Sequence, residues 1–547
     1  MKDIKTLVND ETRHKMAQDQ KLGAGNFLAY ALANNPAPKA PILFLEKRLE
    51  TFSGERFTKL SLHDLDHLSR LYASLYKKMQ VKAQDPVMVY IDDGIEYLIH
   101  YLALVRLGAI AVLTNGNMPP ATALAHAKNV GAKGIFTDPA RREQLFSGKD
   151  NREFSFVLTE DSIAVSPLDL SDVPHYKHVD DDPIMIAHSS GTTGIPKAVL
   201  LQQQAYFYGV RYRLGLPRIK GGETILSSLP HSHNCAISYQ MLALLSGTPV
   251  YISSDHSGAA VLKRIEEFRP KMVVSFPQTY VEMTECNLGS YDLRSVTLWF
   301  NGGDAAHENH IRRLIQHGTH EQDGKAVPGS IFIDGMGSSE MGFSLFRNVH
   351  TPQTNNYNRC VGKPLEWVDA QILSEEGECL APHIIGRLGV KAPSVTSGYW
   401  NNSLLTFRSR LAGYFLTGDL AYKDEEGRFF HVDRVPDLIR TKQGPAYGLQ
   451  IEEYLLSRFP AIADCAVFGR TLTESDFQVP SIRVRLRAGT DLNAMEEKEV
   501  LQIFNRALVE KSLPVICELE FSSLSQVPLG TTGKVLKREL RQIGVAQ

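Results

Sequence analysis

The chain of 547 residues has little cysteine, no excess of either charge and no long hydrophobic run. Its 6 cysteines are scattered singly with no CxxC pair, which argues against a disulfide framework and a structural zinc site. We therefore expect reduced, buried thiols. Lys and Arg total 59 against 61 for Asp and Glu, a formal net charge of −2. A dedicated nucleic-acid binder usually carries a basic excess, so this balance argues against that class of protein.

Export and membrane signals are also missing. The N-terminal segment MKDIKTLVNDETRHKM is charged and lacks the apolar core of a signal peptide. The most apolar helical stretch, residues 101–113, is too short to span a bilayer and contains Arg106. We therefore expect a large cytoplasmic protein of several domains, without membrane insertion and without nucleic acid as a partner.

Short apolar or β-branched runs alternate with helical periodicity through much of the chain. This alternation predicts an α/β fold in which parallel sheets are joined by crossover helices. The predicted strands are residues 87–91, 134–137, 184–187, 225–229, 272–276 and 296–300. The predicted helices include residues 62–78, 259–268 and 308–316.

The sequence pattern changes near residue 384. Short runs closely spaced by Gly and Asp then predict an antiparallel region at 384–433. After Asp433 a smaller α+β pattern follows, with helices at 450–458 and 495–511 and strands at 465–468 and 482–486. We therefore divide the chain into a large N-terminal domain, 1–433, and a small C-terminal domain, 434–547.

The most informative motif is HSSGTTGIPKAVLL at residues 188–201, which follows a predicted strand. Glycines let backbone amides approach an anion, hydroxyls add donors and lysine supplies charge, so the motif predicts a phosphate-binding loop. Ile195 and Pro196 separate the second glycine from the lysine, unlike the P-loop of kinases and ATPases. A flexible Ser/Gly linker is the alternative. The predicted phosphate-binding residues are Ser189, Ser190, Gly191, Thr192, Thr193, Gly194 and Lys197.

The segment SSGTTGIPK closely resembles the signature loop of the adenylate-forming superfamily, which includes acyl- and aryl-CoA synthetases, nonribosomal adenylation domains and luciferases. Four further blocks follow in the family's order: DGMGSSEMG at 334–342, GYFLTGDL at 413–420, FFHVDRVPDLIR at 429–440 and PLGTTGKVLKREL at 528–540. The resemblance covers nearly the whole chain. It implies a large domain of two parallel-rich αβ subdomains plus a small β-barrel-like subdomain, followed by a mobile α+β domain.

The resemblance also implies a site for ATP and Mg²⁺. Glu340 and Thr193 would bind magnesium, which prefers oxygen ligands. Ser339 and Thr193 would donate hydroxyls near the phosphates, and Asp419 would accept from the ribose hydroxyls with help from Arg434. Taken singly, Asp419 could instead cap a turn.

Three neighbouring residues, Asp334, Gly335 and Met336, would lie beside the nucleotide. Met336 replaces the aromatic residue that usually stacks on adenine, and its thioether can still pack against the ring. Lys534, on the small domain, would bridge the substrate carboxylate and the α-phosphate. Its alternative is a solvated lysine near the end of the chain.

Two half-reactions are implied: formation of an acyl-adenylate with release of pyrophosphate, and attack by a phosphopantetheine thiol after the small domain rotates. The hinge residue, usually Asp or Lys, is here Pro436, which fixes one of the dihedrals that rotation would use. Gln443 stands where a glycine is expected in the loop that follows, with Gly444 next to it. Both departures affect the thiol step and spare adenylation.

The family alignment also implies an acyl pocket. Trp299 would narrow it and favour a small acid, unless the indole packs in the core between sheet and helix. Asn234 stands where amino-acid-activating relatives carry Asp, so an ammonium group would be held less strongly. His231 and His233 form an HxH pair, for which we prefer a place near this pocket over a metal site. The expected pocket residues are His233, Asn234, Cys235, Ser238, Trp299, Asn301, Gly302 and Phe343, with Gly335 and Ser344 beside them.

The leading hypothesis is an AMP-forming ligase that activates a small carboxylic or amino acid and loads it onto a phosphopantetheinylated carrier protein. Glycine is the candidate acid, by likeness to a stand-alone glycine-activating enzyme of bacterial lipid A modification. A ligase that makes a CoA thioester is the nearest alternative. A non-catalytic binding protein on the same scaffold is the alternative from another class, and the retained Lys197, Glu340, Asp419, Arg434 and Lys534 argue against it. The basic end, GKVLKRELRQ, fits a solvated helix better than a nucleic-acid surface.

Overall fold

The computed structural model describes residues 4–148, 151–163, 170, 173, 175–189, 195–219, 223–303, 305–354, 358–471, 477–523, 526–530 and 533–542. The helices within these ranges are α1 Asp10–Gln18, α2 Phe27–Asn34, α3 Leu62–Lys78, α4 Glu96–Arg106, α5 Pro120–Asn129, α6 Pro139–Phe146, α7 Gln203–Gly215, α8 Asn234–Ser246, α9 Gly258–Phe268, α10 Pro277–Glu285, α11 Glu308–Ile315, α12 Ser403–Arg408, α13 Gly448–Arg458, α14 Glu497–Glu510 and α15 Lys537–Gln542.

The strands within the same ranges are β1 Leu43–Glu50, β2 Arg56–Leu60, β3 Pro86–Tyr90, β4 Ile110–Thr114, β5 Gly134–Thr137, β6 Phe156–Leu158, β7 Pro183–Ser189, β8 Lys197–Gln202, β9 Ile225–Ser228, β10 Val250–Ile252, β11 Met272–Ser275, β12 Leu298–Asn301, β13 Thr319–Gln322, β14 Lys325–Pro328, β15 Ile331–Gly337, β16 Ser344–His350, β17 Cys360–Pro364, β18 Asp369–Leu373, β19 Gly386–Lys391, β20 Arg410–Leu411, β21 Tyr414–Lys423, β22 Phe429–Arg434, β23 Ile439–Thr441, β24 Gly444–Ala446, β25 Ile462–Thr471, β26 Gln478–Leu486 and β27 Glu518–Phe521.

Two mainly parallel regions form the first part of the fold. A six-stranded sheet has the order β6-β5-β3-β4-β7-β8, parallel except for the β7–β8 pair. A second parallel run, β15-β12-β11-β9-β10-β1, lies within a longer sheet. The predicted α/β class is confirmed, and the strands predicted in this part lie within two residues of the observed bounds.

The helix α3 shows why local sequence predicts such elements well. Ser61 and Asp64 form a capping box, in which the Ser61 hydroxyl accepts from the Asp64 amide at 3.2 Å and the Asp64 carboxylate accepts from the Ser61 amide at 2.7 Å. The apolar stripe of the helix is buried against the core. The helix has the predicted bounds.

The apolar stretch 101–113 is not one helix. It contains the end of α4, a turn and then β4. Gly108 lies in the turn with φ of +74°, a backbone conformation that favours glycine. None of the described helices is long and apolar enough to cross a bilayer.

Antiparallel strands begin earlier than residue 384. The order β18-β19-β21-β22-β17-β16-β15 continues the long sheet with antiparallel pairs, and β16, β17 and β18 precede the predicted start. Periodicity missed these three strands because they lack the closely spaced Gly and Asp of the later blocks. The antiparallel region has its own apolar core, which includes Leu345, Ile372 and Phe415.

The C-terminal part has a separate core between Ile439 and Leu519. It contains the β25-β26-β27 sheet with α13, α14 and α15, preceded by the β23–β24 hairpin. A separate core is what we expect of an independent C-terminal domain. All 6 cysteines are free; Cys360 and Cys465 are buried, Cys235 and Cys286 are partly buried, and Cys379 and Cys517 are exposed, so the prediction of buried thiols was wrong for the last two.

Candidate active site

A cavity of about 420 Å³ lies where the large domain meets the small one. It brings together residues from six separate sequence segments. The predicted residues that line it are Lys197, His233, Met336, Ser339, Glu340, Asp419, Arg434, Pro436 and Lys534. These segments are far apart in the sequence, so the fold assembles the site that the family motifs imply.

Asp419 and Arg434 face each other across the β21–β22 ladder. The Arg434 Nε lies 2.9 Å from Asp419 Oδ1, and His431 Nε2 lies 3.5 Å from the same oxygen. Asp419 is buried apart from its edge on the cavity. The ladder therefore fixes a carboxylate acceptor at the cavity wall, as binding of a ribose requires.

Glu340 is held by a residue that the motifs did not identify. The Tyr399 hydroxyl donates to Glu340 Oε1 at 3.1 Å, and the Lys197 ammonium lies 5.6 Å from the centre of the Tyr399 ring. Burial and the Glu340 charge raise the pKa of Tyr399, so the phenol remains a donor. The only sequence signal for Tyr399 is an aromatic residue after a glycine in SGYW, which is too common to identify it.

Ser339 and Asn234 are in direct contact. The Ser339 hydroxyl donates to Asn234 Oδ1 at 3.1 Å, and the Tyr206 hydroxyl donates to the Asn234 backbone carbonyl at 2.5 Å. Asn234 begins α8, and Tyr206 lies on α7. The start of α8 is thus fixed against the serine predicted to lie near the phosphates.

His233 lies between α8 and the small domain. Its Nδ1 accepts from the Cys235 amide at 3.1 Å, which caps the helix. Burial lowers the pKa of His233 to about 4, and the positive charge of Lys534 contributes. The imidazole is therefore neutral at physiological pH. Burial also raises the pKa of the Cys235 thiol to about 12, so it stays protonated.

The HxH pair is split between two environments. His231 lies outside the main cavity, where Asp93 accepts from His231 at 2.7 Å and from His256 at 2.8 Å. This Asp/His cluster beside His231 could not be predicted from the sequence, because its members come from distant segments. Asp93 accounts for one nitrogen of each ring by hydrogen bonding.

Asp334 and Asn301 are buried against each other behind the cavity. The Asn301 Nδ2 donates to Asp334 Oδ1 at 2.5 Å, and burial raises the pKa of Asp334 to about 6. Neither residue lines the main cavity, so the structure does not place them in the expected contact with a ligand there. They lie behind the cavity wall, next to Met336. Gly302 also supports the site, since a Cβ there would lie 2.9 Å from the Cys235 sulfur.

Trp299 does not narrow a pocket. Its side chain is fully buried in the cluster with Tyr280 and Phe332, and its Nε1 donates to the Ser330 hydroxyl at 2.7 Å. Successive residues of a strand point to opposite faces, so Phe300 and not Trp299 faces α8. The expectation of a filled pocket is therefore wrong.

A second, mainly apolar cavity lies between α7, α8 and the long sheet. Gly335, Phe343 and Ser344 line it, as predicted for an acyl pocket, together with Tyr239 and Phe300. Gly335 lines this cavity and the next residue, Met336, lines the first, so the two cavities adjoin at one strand. Ser238 does not line either cavity; its hydroxyl donates to the Cys235 carbonyl at 2.9 Å within α8.

Contacts between the domains place Lys534 at the site. Gly533 has φ of +77°, and a Cβ there would lie 2.7 Å from the Gln278 Cβ on α10 of the large domain. Glycine at this position lets the C-terminal loop approach the large domain closely. Pro436 lies in a short 3₁₀ turn, Val435–Asp437, between the domains. Lys534 and Pro436 both line the main cavity, and the role of Lys534 in adenylation stays a prediction.

The tip of the predicted phosphate loop, Ser190, Gly191, Thr192, Thr193 and Gly194, lies outside the described residues, as does the side chain of Ser189. Lys197, at the end of the loop, lines the main cavity. The suggested magnesium ligands are therefore represented in the described structure by Glu340 alone.

The architecture and the site define an adenylate-forming enzyme. A model for the AMP-binding enzyme family matches residues 36–400. The chain belongs to this family and is an ATP-using, AMP-forming ligase of the acyl-CoA synthetase and adenylation type. This finding favours an enzyme over the non-catalytic alternative.

Two curated relatives differ in reaction. The chain is 38% identical over 554 residues to a 3-aminoavenalumate diazotase of Streptomyces sp., with 98% of each chain covered. It is 24% identical over 473 residues to a 3-hydroxybenzoate–CoA ligase of Aromatoleum sp. (strain CIB), with 84% of this chain and 86% of the relative covered.

Solved structures share the fold. An anthranilate CoA ligase in complex with anthranoyl-AMP superposes with a TM-score of 0.81 at 18% identity, covering 96% of this chain and 98% of that one. An amide bond synthetase from Marinactinospora thermotolerans superposes with a TM-score of 0.76 at 19% identity, covering 95% and 100%. The predicted fold, with a large N-terminal and a small C-terminal domain, is confirmed.

Proposed function

We propose that this protein is an ATP-dependent diazotase, which adenylates a small nitrogen oxyanion and transfers its nitrogen to an aryl amine. The observation that carries the proposal is the full-length similarity to a diazotase at 38% identity, against 24% for a CoA ligase. The adenylation residues of the family are present in this chain, so ATP chemistry and amine chemistry can be combined in one site.

The chemistry is balanced without an oxidant. Converting an aryl amine to a diazonium ion needs a second nitrogen at the oxidation level of nitrite. A nitrite oxygen displaces pyrophosphate at the α-phosphorus of ATP and forms a nitrosyl–AMP anhydride. The amine attacks the nitrosyl nitrogen, AMP leaves with the bridging oxygen, and the resulting nitrosamine loses water after proton transfer.

The described residues suit the first of these steps. Lys534 would neutralise charge on the α-phosphate and the attacking oxyanion, while Asp419 and Arg434 hold the ribose. Glu340, positioned by Tyr399, would hold Mg²⁺, which supplies charge neutralisation at the phosphates. Its carboxylate oxygens and the open cavity beside it fit that cation.

The departures from the family pattern agree with the proposal. Pro436 and Gln443 affect the rotation and the loop used for attack by a thiol, and an amine acceptor needs neither. Arg541 restrains the hinge further, since it donates to the Pro436 carbonyl at 3.1 Å and pairs with Asp437 at 2.7 Å.

The test is to mix the protein with ATP, Mg²⁺, nitrite and 3-aminocinnamate at neutral pH. We expect AMP and pyrophosphate to form only when nitrite is present, and the diazonium ion to be trapped as an azo dye by a naphthol. Lys534→Ala should abolish nitrite-dependent AMP formation. AMP formation that needs a carboxylic acid and CoA but not nitrite would contradict the proposal.

The second candidate is the acid–thiol ligase, in which a carboxylic or amino acid is adenylated and passed to CoA or to a carrier protein. The CoA ligases among the relatives favour it. Glycine as the acid has lost its structural support, because Trp299 lies in the core. Pyrophosphate exchange across glycine, alanine and aromatic acids, followed by offering CoA or a phosphopantetheinylated carrier, tests this candidate.

A further inference from the structure

The apolar cavity beside the active site has an unusual charge. Four arginines, Arg13, Arg213, Arg218 and Arg347, line it, and no Asp or Glu is among its described lining residues. Burying a guanidinium without an anion is unfavourable unless the group is paired or hydrogen-bonded. Each of the four guanidinium groups therefore needs a hydrogen-bond or ion-pair partner.

Two of the arginines are held by the protein. Arg13 pairs with Asp10 at 2.7 Å and donates to the Leu216 carbonyl at 3.0 Å. Arg218 donates to the Thr248 hydroxyl at 2.8 Å and to two backbone carbonyls at 2.9 and 3.0 Å. These contacts account for the presence of Arg13 and Arg218 at the cavity.

The other two are not held in this way. Among the described residues, neither Arg213 nor Arg347 has a side-chain hydrogen bond or ion pair. Arg213 is half-buried on α7, and Arg347 is exposed at the rim on β16. Burial lowers the pKa of Arg213, and the charges of Arg347 and Arg13 act in the same direction. An anion between Arg213 and Arg347 would offset this cost with charge-assisted hydrogen bonds.

The rest of the cavity suits an aromatic ring. Tyr239 and Phe300 meet edge to face with ring centres 5.3 Å apart, and Phe343 closes the side next to α7. Gly335 has no side chain to fill the floor of the cavity. A Cβ at this position would lie 3.0 Å from the Ser344 hydroxyl. Aromatic walls of this kind bind a flat, conjugated ligand.

The arginine end lies away from the reacting atoms. Tyr206 marks the active-site end of α7 through its hydrogen bond to Asn234, which contacts Ser339. Arg213 follows seven residues later, about 10 Å further along the helix axis at 1.5 Å per residue. We therefore take a carboxylate bound by Arg213 to lie at the end of the cavity away from Ser339.

We propose that this cavity binds an aryl amine that also carries a carboxylate, with the carboxylate held by Arg213 and Arg347 and the amine directed towards the adenylate. The inference rests on the proposed function. It assigns the acid group of the substrate to recognition and not to activation, which reverses its role in the acid–thiol ligases.

The test compares 3-aminocinnamate with 3-aminocinnamamide, which lacks the negative charge. We expect the wild-type protein to bind the acid at least about tenfold more tightly by calorimetry without ATP, and to show the same preference in KM for diazonium formation. Arg213→Gln and Arg347→Gln should each reduce the preference to about twofold in both measurements. Arg506→Gln, an exposed helix arginine on α14, is the matched control and should keep the wild-type preference.

The outcomes separate the two proposals. Diazonium formation with equal preference for acid and amide overturns the assignment of the cavity and leaves the diazotase proposal intact. Arg213-dependent binding of the acid without any diazonium formation supports the cavity and overturns the diazotase proposal. Trapping of the aryl acid itself as a hydroxamate in the presence of ATP overturns both. If Arg213→Gln fails to fold by circular dichroism, the Arg347→Gln variant decides.

Discussion

At the scale of single residues, Tyr399 matters because it positions another group. Its hydroxyl fixes Glu340, and its ring lies under Lys197. Groups that orient a metal ligand commonly change metal affinity by about tenfold or more when they are removed.

We predict that Tyr399→Phe raises the Mg²⁺ concentration needed for half-maximal pyrophosphate exchange about tenfold, because Glu340 loses its donor while the ring beneath Lys197 is kept. Titration of Mg²⁺ at saturating ATP measures the change. Tyr422→Phe on β21 is the control, since its hydroxyl makes no hydrogen bond to the described residues. An unchanged Mg²⁺ requirement in Tyr399→Phe would show that Glu340 does not depend on this contact.

Trp299 belongs to the core, because its side chain is fully buried in the cluster with Tyr280 and Phe332. We predict that Trp299→Ala lowers the free energy of unfolding by about 3–5 kcal/mol, the usual cost of removing a buried aromatic side chain. Chemical denaturation measures the loss. The relative rates with different amine or acid substrates should not change, and a shifted substrate preference in a folded variant would place the indole at the pocket after all.

Sequence reasoning succeeded where a motif is contiguous and failed where side-chain direction decides. Glu340, Asp419 and Arg434 lie in short blocks whose chemistry needs them at the cavity. Trp299 could not be placed, because the strand β12 can present either face until its neighbours are known. Tyr399 has no contiguous motif around it, and Arg213 is identified only because no described Asp or Glu lines the folded cavity beside it.

At the scale of elements, Pro436 is the departure from the family pattern that we expect to affect domain rotation most. Pro436 fixes its own φ, and Arg541 from α15 holds the carbonyl of Pro436 and the carboxylate of Asp437. The turn Val435–Asp437, which we propose as the hinge, is therefore restrained by the proline ring and by Arg541, which belongs to the same small domain.

We predict that Pro436→Asp increases hydrogen exchange in the segment 435–441 severalfold, while exchange in the β25–β26 pair stays at the wild-type rate. Mass spectrometry of peptic peptides measures both segments in one experiment. If the restraint also limits attack by a thiol, the ratio of thioester formation to pyrophosphate exchange should rise with CoA as acceptor. Equal hydrogen exchange in wild type and variant would remove the proline from the explanation.

The parallel strands were predictable because each is a short apolar run between recognisable helices. The earlier antiparallel strands were not, since β17 and β18 are short and half-polar and become strands only through their neighbours. The separate C-terminal core begins at Ile439, shortly after the predicted division near residue 433, and the position of that division stays a prediction.

At the scale of the whole molecule, a buried charge cluster joins the two domains. His307 on the large domain pairs with Glu453 at 2.6 Å and lies 3.6 Å from Glu452, both on α13. Lys537 pairs with Glu452 at 2.8 Å from the other side. On the large domain, Arg359 lies 3.3 Å from the His307 ring. The docked arrangement therefore places a titratable histidine, His307, among charged groups of both domains.

The direction of that dependence follows from the pKa of His307. Burial and the Arg359 charge act to lower it, but hydrogen bonds and charges from Glu452 and Glu453 outweigh them, so the pKa stands above its usual value. Asp464 adds a further acidic group near the ring. Once the domains separate, the exposed imidazole returns to a pKa near its usual ~6.5. Protonation of His307 therefore stabilises docking, and this stabilisation is complete below about pH 6.5. It is lost as pH rises through the raised pKa of His307.

We therefore predict that the fraction of docked molecules falls as pH is raised from 6.5 through the raised pKa of His307, and that His307→Gln removes most of this dependence. Small-angle scattering of the free protein measures docking through the radius of gyration, independently of catalysis. Gln can still hydrogen-bond to Glu453 but carries no proton that titrates, so the variant should dock weakly and equally at each pH. His383→Gln, which alters an exposed histidine–glutamate pair within the antiparallel region, is the matched control and should follow the wild-type curve. A wild-type radius that stays constant over the same pH range would mean that the cluster does not govern docking.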